Sequence, residues 1–228
     1  RGRLFHSTEL EHSQKVAELM TKVTGIEHEV KPELSINGEI LAWRVGTSAA
    51  LNYLLQAGLY KVVALRWPRE FLRGLFDGDG SLSAWVWKGM WRGRALAQFH
   101  FELKVTLGKG EGDLAEFVKK LLKEEFGIDM AEKKGRGESI ELYCKNNTSA
   151  ARIFAREVGF RLGRKRRRLE LLLKILELRG RARVKEFEKI KGEWKETGRV
   201  ERSGEREAVS NFHRMRPQRT SEEDSESE

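Results

Sequence analysis

The chain has 228 residues, enough for one larger domain or two small ones with a hydrophobic core. Its 44 lysines and arginines outnumber its 35 aspartates and glutamates, and the formal net charge of +9 favours a polyanionic partner. A single cysteine, Cys144, excludes an internal disulfide framework and a cysteine-based zinc cluster. No apolar run approaches the roughly 18 residues that span a bilayer, and no signal peptide heads the sequence. We expect a soluble protein with no membrane partner that is not secreted and resides in the cytoplasm, or in an organelle if eukaryotic.

The first part of the chain predicts a helix, a hairpin and a second helix. The first helix begins at Ser13, a candidate N-cap, and ends at Gly25. The pair Asn37-Gly38 favours a tight hairpin turn. The second helix runs from Thr47 to Ala57 and stops at a glycine. The strand after the turn alternates as a half-buried strand does, with inward residues Leu41, Trp43 and Val45.

The stretch from Phe71 to Ser81 combines an apolar helix with a glycine at its centre and two aspartates at its end. Gly74 costs about 1 kcal/mol relative to alanine, which suggests that a second helix approaches the backbone there. Asp77 is expected to make local hydrogen bonds to the backbone at the helix end, and Asp79 to project beyond it. A calcium-binding EF-hand loop is excluded, because its required glycine and glutamate are absent at the sixth and twelfth positions.

A hairpin is predicted directly after this helix. Its strands run from Ser81 to Trp87 and from Leu96 to Thr106, and the basic, glycine-rich segment from Lys88 to Arg94 joins them. A two-stranded ribbon with one polar face fits the major groove of DNA, although an exposed sheet without a ligand shows the same alternation. The residues that this hairpin offers to DNA are Ser83, Trp85, Trp87, Lys88, Arg92, Arg94, Gln98, His100, Glu102 and Lys104.

The plan of helix, hairpin and helix recurs after residue 110. A helix from Asp113 to Phe126, a second hairpin and a helix from Thr148 follow one another. The helix-ending glycines Gly25 and Gly127 are 102 positions apart, and the Thr-Ser-Ala-Ala segments at 47–50 and 148–151 are 101 apart. An internal repeat of this length predicts two half-domains related by pseudo-symmetry. By repeat position, the second hairpin offers Lys133, Lys134, Arg136, Glu141 and Tyr143 to the same ligand.

Residues 72–80 resemble the LAGLIDADG motif of homing endonucleases and RNA maturases. Five positions match that signature by identity and a sixth closes it: Leu72, Gly74, Leu75, Asp77, Asp79 and Gly80. The resemblance covers residues 3–178. It implies an α+β fold of two pseudo-symmetric αββαββα halves, whose antiparallel sheets form a DNA-binding saddle and whose motif helices pack on one another. The residues of that helix interface are Leu72, Gly74, Leu75 and Asp77.

The resemblance also implies a domain plan with a truncated first half. Residues 1–66 are a partial first repeat, a ββαββα remnant without its motif helix, and residues 67–180 are a complete second repeat. Residues 181–228 are a charged, solvated helix with a narrow apolar stripe, followed by a disordered tail. The first copy of the motif would lie upstream of Arg1, so the chain is either a fragment or a decayed copy.

In the family, each motif helix gives one acidic residue to a shared active site. Asp79 is then the catalytic acid and metal ligand of the second half, and the carbonyl of Gly78 joins it. Hydrolysis of a phosphodiester requires a metal that polarises the phosphate and activates water, and Mg²⁺ or Mn²⁺ takes such oxygen ligands. The acidic residue of the first motif helix is missing. Asp79 alone therefore predicts weak metal binding and little double-strand cleavage by a lone monomer.

A basic run from Arg161 to Arg168 precedes an apolar helix from Leu169 to Leu178. The family carries a lysine shortly after the last repeat helix, near the scissile phosphate, and alignment gives this catalytic place to Lys165. Arg164 or Arg166 could take it instead, and a generic basic surface is the plain alternative. Arg164 and Arg167 are expected to grip phosphates of the nucleic acid.

Two functions from different classes follow from the resemblance. The first is a site-specific DNA endonuclease of the homing type, which cuts a long asymmetric duplex site with a divalent metal. The second is a relative on the same fold that binds without cleaving, either an RNA maturase acting on intron RNA or a transcription regulator, or else an inactive fragment. A full-length protein is expected to be a monomer, whereas this form would be able to dimerise through its motif helix.

Overall fold

The computed structural model describes residues 4–46, 53, 57–92 and 94–197. Within them, the first part of the chain forms a three-stranded antiparallel sheet with the strand order β1-β3-β2. The helix of this part packs against all three strands. The elements in chain order are β1 (Leu4–Ser7), α1 (Leu10–Thr24), β2 (Val30–Leu34) and β3 (Ile40–Gly46).

The second part forms a four-stranded antiparallel sheet with the order β4-β5-β7-β6. Helices cover one face of this sheet and leave the other open. The elements are α2 (Leu59–Arg66), α3 (Pro68–Asp79), β4 (Gly80–Trp91), β5 (Arg94–Leu107), α4 (Gly112–Phe126), β6 (Ala131–Lys134), β7 (Ile140–Lys145), α5 (Thr148–Glu157), α6 (Gly163–Glu177) and α7 (Arg181–Glu196).

The two sheets share one plan. The run β1-α1-β2-β3 matches β5-α4-β6-β7 in connection and in strand order. Each of the two helices has 15 residues and ends at a glycine in the left-handed region, Gly25 at φ 69° and Gly127 at φ 66°. The counterpart of β4 would lie beside β1, where no strand is found among the described residues. This is the arrangement that the repeat of about 100 residues predicts.

The hydrophobic core lies between the four-stranded sheet and its helices. The alternation predicted for the second strand of the hairpin is confirmed, since Phe101, Leu103 and Val105 are at most 2 % exposed. Phe76 of α3 and Phe154 of α5 are fully buried, with ring centroids 4.8 Å apart. Each such side chain contributes about 2–3 kcal/mol by its removal from water. The motif helix is therefore anchored through its inner face.

The last helix belongs to this core, contrary to the expectation of a solvated helix after residue 180. The apolar side of α7 faces the sheet, and its residues Phe187 and Trp194 are buried. Phe187 contacts Phe99 of β5, with ring centroids 5.3 Å apart. The charged composition of α7 hid this contact, because only one side of a helix needs to be apolar.

Several element bounds differ from the predictions. Helix α1 begins at Leu10, so Ser13 is not a cap; it is buried and its hydroxyl donates to the carbonyl of Trp43 at 3.3 Å. In β3, Trp43 and Val45 are buried as predicted, but Leu41 is 57 % exposed beside a register shift in the partner strand. The predicted turn at Asn37-Gly38 is confirmed by the pairing of β2 with β3.

The hairpin and the basic run differ as well. Strand β4 extends to Trp91 and strand β5 begins at Arg94. Most of the loop predicted from Lys88 to Arg94 is therefore strand. The basic run lies inside α6 from Gly163 onward, rather than before the helix. The helix predicted from Thr47 to Ala57 falls mostly outside the described residues, as does the tail after residue 197. Among the residues described, no helix is long and apolar enough to cross a membrane.

Replacement of Phe76 tests whether the motif helix depends on its inner face. Phe76→Ala should lower the free energy of unfolding by about 3–5 kcal/mol, because it removes a fully buried ring and leaves a cavity against Phe154. Urea denaturation followed by circular dichroism measures this change. The matched control is Val62→Ala on α2, whose side chain is 61 % exposed and whose loss should cost about 0.5 kcal/mol or less. Equal costs for the two variants would contradict this view of the core.

Candidate active site

The end of the motif helix runs into strand β4 without a loop. Asp79 is the last residue of α3, and Gly80 is the first of β4. A side chain at position 80 would not fit, since a Cβ there would lie 2.4 Å from the carbonyl oxygen of Phe76. The tight junction needs this glycine. It holds Asp79 and Gly78 at the exposed end of the helix, above the first residues of the edge strand.

Lys165 caps this end of α3. Its Nζ donates to the carbonyl oxygens of Phe76 at 3.0 Å, Asp77 at 2.5 Å and Gly80 at 2.7 Å, and lies 3.3 Å from that of Gly78. An ammonium group at a helix C-terminus satisfies free carbonyls and meets the negative end of the helix dipole. Burial, together with the neighbouring Arg164, lowers the pKa of Lys165 from 10.5 to about 8.

Asp77 makes the reciprocal contact. Its buried carboxylate accepts from the backbone N–H of Arg161 at 3.0 Å and of Leu162 at 3.3 Å, directly before α6. The expected bonds to nearby backbone are therefore replaced by bonds to residues 84 and 85 positions away. A carboxylate before a helix N-terminus is favoured by the free N–H groups there. Asp77 and Lys165 together lock the end of α3 to the start of α6.

The predicted helix-interface residues divide between the two sides of α3. Leu72 and Asp77 face inward and are buried in the core of this chain. Leu75 is half-buried, and Gly74 is exposed, with nothing within 4 Å of the position of a Cβ. The outer side of α3 is thus open at the point where sequence reasoning expects a second helix.

Asp79 is exposed at the last position of α3. Partial burial of its carboxyl raises the pKa of Asp79 above its ordinary value, the ammonium of Lys165 opposes this, and the carboxylate of Glu111 adds to it. No cluster of three metal-ligating side chains of the types His, Cys, Asp and Glu occurs among the described residues. The oxygen donors at the site are the Asp79 carboxylate and the Gly78 carbonyl.

A polar cavity of about 250 Å³ adjoins this end of the helix. It is lined by Gly78, Gly80, Ser81, Leu82, Arg164, Lys165, Arg168 and Thr197. The hydroxyl of Ser81 is buried and has no hydrogen-bond partner among the residues that the structure describes. Arg168 donates to the carbonyl of Leu82 at 3.2 Å and to the hydroxyl of Thr197 at 3.1 Å. With three cationic residues and a free hydroxyl, the cavity suits an anion.

Sequence reasoning missed Ser81 and Arg168. Their positions carried a usable signal, because Ser81 directly follows the motif and Arg168 lies one helical turn after Lys165.

Helix α1 of the first part reaches the site from the other side. Its N-cap Glu9 forms an ion pair with Arg164. His12 lies nearby, packed edge-on against Phe5, and burial lowers its pKa, opposed by the carboxylates of Asp77 and Glu9. Arg167 is paired instead with Glu193 and Glu170. Both arginines expected to grip phosphates are therefore already held by carboxylates.

Part of the chain matches a described protein family. Residues 66–159 match the family model described as the LAGLIDADG-like domain. This segment contains the motif helix, the hairpin and the second-hairpin strands of the four-stranded sheet. Residues 66–159 are a LAGLIDADG-like domain. The family resemblance carried by the motif is confirmed for this segment.

A curated relative is an uncharacterized protein of Methanocaldococcus jannaschii, 31 % identical over 153 residues, which cover 59 % of this chain and 49 % of the relative. The chain thus spans about half the length of that relative.

Among solved structures, the homing endonuclease I-SmaMI bound to an uncleaved DNA target with calcium ions is 11 % identical, with a TM-score of 0.56 over 86 % of this chain and 87 % of that one. The homing endonuclease I-CvuI in complex with a DNA target is 18 % identical, with a TM-score of 0.38 over 49 % and 67 % of the two chains. The predicted fold is confirmed: the chain has the mixed helix and antiparallel-sheet fold of LAGLIDADG homing endonucleases.

The open face of the sheet in the LAGLIDADG-like domain brings five of the predicted DNA-contacting residues into one network. Lys104 pairs with Glu141 at 2.7 Å, and Lys133 lies 3.2 Å from Glu141 and 3.5 Å from Glu102. The ammonium of Lys133 also lies 4.5 Å from the ring centre of Tyr143. The hydrogen bond from Lys104 holds the pKa of the Glu141 carboxyl below its usual range. This surface is ordered by internal ion pairs.

Aromatic side chains continue the same face toward the hairpin end. Trp85 and His100 occupy opposite positions on β4 and β5 and stack at 5.8 Å. Trp87 lies over Gly89, where a Cβ would approach its ring to 2.2 Å. Ser83 is half-buried beside Glu102, and Gln98 is exposed opposite Trp87.

Five predicted DNA-contacting residues lie apart from this network. Lys88 and Lys134 occupy the other face of their strands, because side chains alternate along a strand. Lys134 is 3.9 Å from Glu138. Arg92 lies in the hairpin turn at φ 49°, and Arg136 in the turn between β6 and β7. Arg94 is exposed at the tip of the hairpin.

The lowered pKa of Lys165 predicts a pH dependence of stability. The folded protein releases this proton near pH 8, whereas the unfolded chain holds it to about pH 10.5. Between these values the unfolded state binds more protons, so the free energy of unfolding should rise with pH. Lys165→Arg keeps its charge throughout and should lack this rise. Urea denaturation of both proteins at intervals from pH 7 to pH 10 measures the difference, and parallel pH profiles would contradict the burial of the ammonium.

Proposed function

We propose that this chain is a site-specific DNA endonuclease of the homing type, which binds duplex DNA with the open face of its sheets and contributes one half of a metal-dependent cleavage site. The observation that carries the proposal is the exposed Asp79 at the end of the motif helix, beside the Lys165 cap and the cationic cavity. The fold shared with I-SmaMI, solved on a DNA target, supports it.

The residues at this end of the helix fit a hard divalent ion such as Mg²⁺ or Mn²⁺ in their chemistry. Asp79 offers the carboxylate of an exposed residue and Gly78 a backbone carbonyl, and Mg²⁺ is commonly held by one or two carboxylates together with water and substrate phosphate. When bound, the ion would supply a polarised phosphate and an activated water. The chain's own residues hold the rest of the site.

The cationic cavity then receives the phosphate group. Lys165 and Arg168 place positive charge beside it, and Ser81 offers a free hydroxyl. Because the Lys165 cap and the Asp77 anchor fix both helix ends, these groups need not reorganise when negative charge develops in the reaction. A pKa of about 8 leaves Lys165 mostly charged at neutral pH, as electrostatic stabilisation requires.

The proposed domain plan keeps residues 1–66 as a partial first repeat and residues 67–180 as the second, with α7 joined to the second through its core contacts. The open side of α3 at Gly74 is the place for a second motif helix. It would come from the same polypeptide in a monomer or from a second copy in a dimer.

A relative that binds nucleic acid without cleaving is the second candidate, and two observations favour it. The Gly78 carbonyl lies 3.3 Å from the Lys165 ammonium, which would compete with a metal for that oxygen. No partner motif helix lies against α3 among the described residues. Such a protein would act on intron RNA or on a regulatory DNA site.

Cleavage by the chain tests the assignment of Asp79. With Mg²⁺, the wild-type chain should nick one strand of a duplex selected for binding, because a single acid serves a single strand. Asp79→Asn should lower the nicking rate at least about a hundredfold while leaving DNA binding within about twofold. Gel assays of a labelled duplex measure both.

The matched control is Asp129→Asn, which removes an exposed carboxylate, 71 % accessible, from a loop remote from the motif. Nicking by the Asp79 variant at the wild-type rate would refute the catalytic role. Binding without nicking by the wild-type chain would favour the non-cleaving candidate.

The open face of the sheet should dominate DNA binding. Lys133→Ala removes a cation and leaves Glu102 and Glu141 less neutralised, so affinity for duplex DNA should fall about five- to tenfold, with a salt slope lower by about one. Lys120→Ala on α4, equally cationic and 69 % exposed, serves as the control. Fluorescence anisotropy at several salt concentrations compares the two, and equal losses would place the DNA elsewhere.

A further inference from the structure

Asn146, a residue outside the predicted site, is clamped to the hairpin that carries the aromatic side chains. It follows β7 directly, in the left-handed region at φ 55°. Its backbone N–H donates to the carbonyl of Phe101 at 3.0 Å, and its Oδ1 accepts from the N–H of Phe101 at 2.9 Å. Two bonds to one residue of β5 fix the position of the amide.

This clamp decides which side of the amide faces His100. The atom that accepts from the Phe101 N–H must be the oxygen, since an amide NH₂ can only donate. The NH₂ group is therefore the one that lies 2.7 Å from Nδ1 of His100. Nδ1 must accept that bond and carries no proton. In the neutral ring the proton is then on Nε2.

The ring is held from a second side as well. Trp85 stacks on His100 at 5.8 Å with an interplanar angle of 22°, and the ammonium of Lys145 lies 5.2 Å from the ring centre of Trp85. Nε2 has no hydrogen-bond partner in the part of the chain that the structure describes. His100 thus presents one N–H donor, in a fixed direction, on the open face of the sheet.

We infer that His100 is a specificity-determining residue that recognises a hydrogen-bond acceptor on a base edge, and that Asn146 is its positioning residue. The inference rests on the proposed binding of duplex DNA. In the major groove the acceptors are purine N7, guanine O6 and thymine O4, whereas the exocyclic amino groups of adenine and cytosine are donors. One position of the target should accordingly disfavour cytosine, the one base whose edge carries no acceptor.

The tautomer can be tested without DNA. In the wild-type chain at about pH 8.5, nitrogen-15 NMR of the histidine side chains should show His100 protonated on Nε2. Asn146→Asp keeps an oxygen for the Phe101 N–H but turns the second group into an acceptor, so the proton should move to Nδ1. A wild-type ring protonated on Nδ1 would overturn the inference. Circular dichroism confirms that both proteins are folded.

The base preference is tested by selecting bound duplexes from a randomised pool at the same pH. Wild-type protein should favour an acceptor edge about fivefold at one position, the factor expected of one hydrogen bond. His100→Phe, which keeps an aromatic ring against Trp85, should lose the preference at that position alone. Asn146→Asp should shift the preference there towards cytosine, whose edge offers an amino donor to the freed Nε2 and carries no acceptor.

The control variant is Gln98→Ala, two residues along the same strand face, which should alter a different position of the selected site. A selected site that His100→Phe leaves unchanged would overturn the inference and leave the proposed function standing. A chain that binds no duplex at all would overturn the proposed function, and the inference with it, even if NMR confirms the tautomer.

Discussion

The structure depends most on the reciprocal lock between the motif helix and α6. Lys165 from the start of α6 caps the carbonyl end of α3, and Asp77 from the end of α3 accepts the N–H groups that precede α6. Each helix thus receives the charge that its own end favours. Buried charges stabilise a fold only when their hydrogen bonds are completed, and both of these are. Loss of the Lys165 ammonium would leave the carbonyl oxygens at the end of α3 without their donor, and loss of the Asp77 carboxylate would leave the N–H groups before α6 without their acceptor.

This lock explains why Asp79 can serve as a chemical residue. It directly follows the capped turn and directly precedes Gly80, whose backbone lies against Phe76. The backbone on both sides of Asp79 is therefore fixed by contacts that do not involve its carboxylate. Because β4 starts at the same point and carries Ser81 and Ser83 on one side, the strand that follows the candidate cleavage site also contributes to the open face of the sheet.

The sequence predicts the parts of this architecture that depend on local periodicity. The alternation in β5 and the glycines that end α1 and α4 are confirmed, since each is decided by neighbours in the chain. The two sheets also share the plan that the repeat of about 100 residues predicts. The partners of Asp77 lie 84 and 85 positions away, and those of Lys165 lie 85 to 89 away. No local pattern encodes such distances. Asn146 was missed for the same reason, because a lone asparagine after a strand usually indicates only a turn.

Most cations expected to contact nucleic acid are already paired with carboxylates of the same chain. The net charge of +9 suits a polyanion, yet Lys104 and Lys133 on the open face are matched with Glu102 and Glu141, and Arg164 and Arg167 with other carboxylates. A phosphate that approaches these cations must compete with an existing ion pair, so the face gains less from non-specific contact than its lysines suggest. The same carboxylates can accept from cytosine, and the ordered lysines can donate to guanine. On the proposed function, a surface already satisfied within the protein would favour only those base sequences that replace its internal bonds, as selection of one long site among many requires.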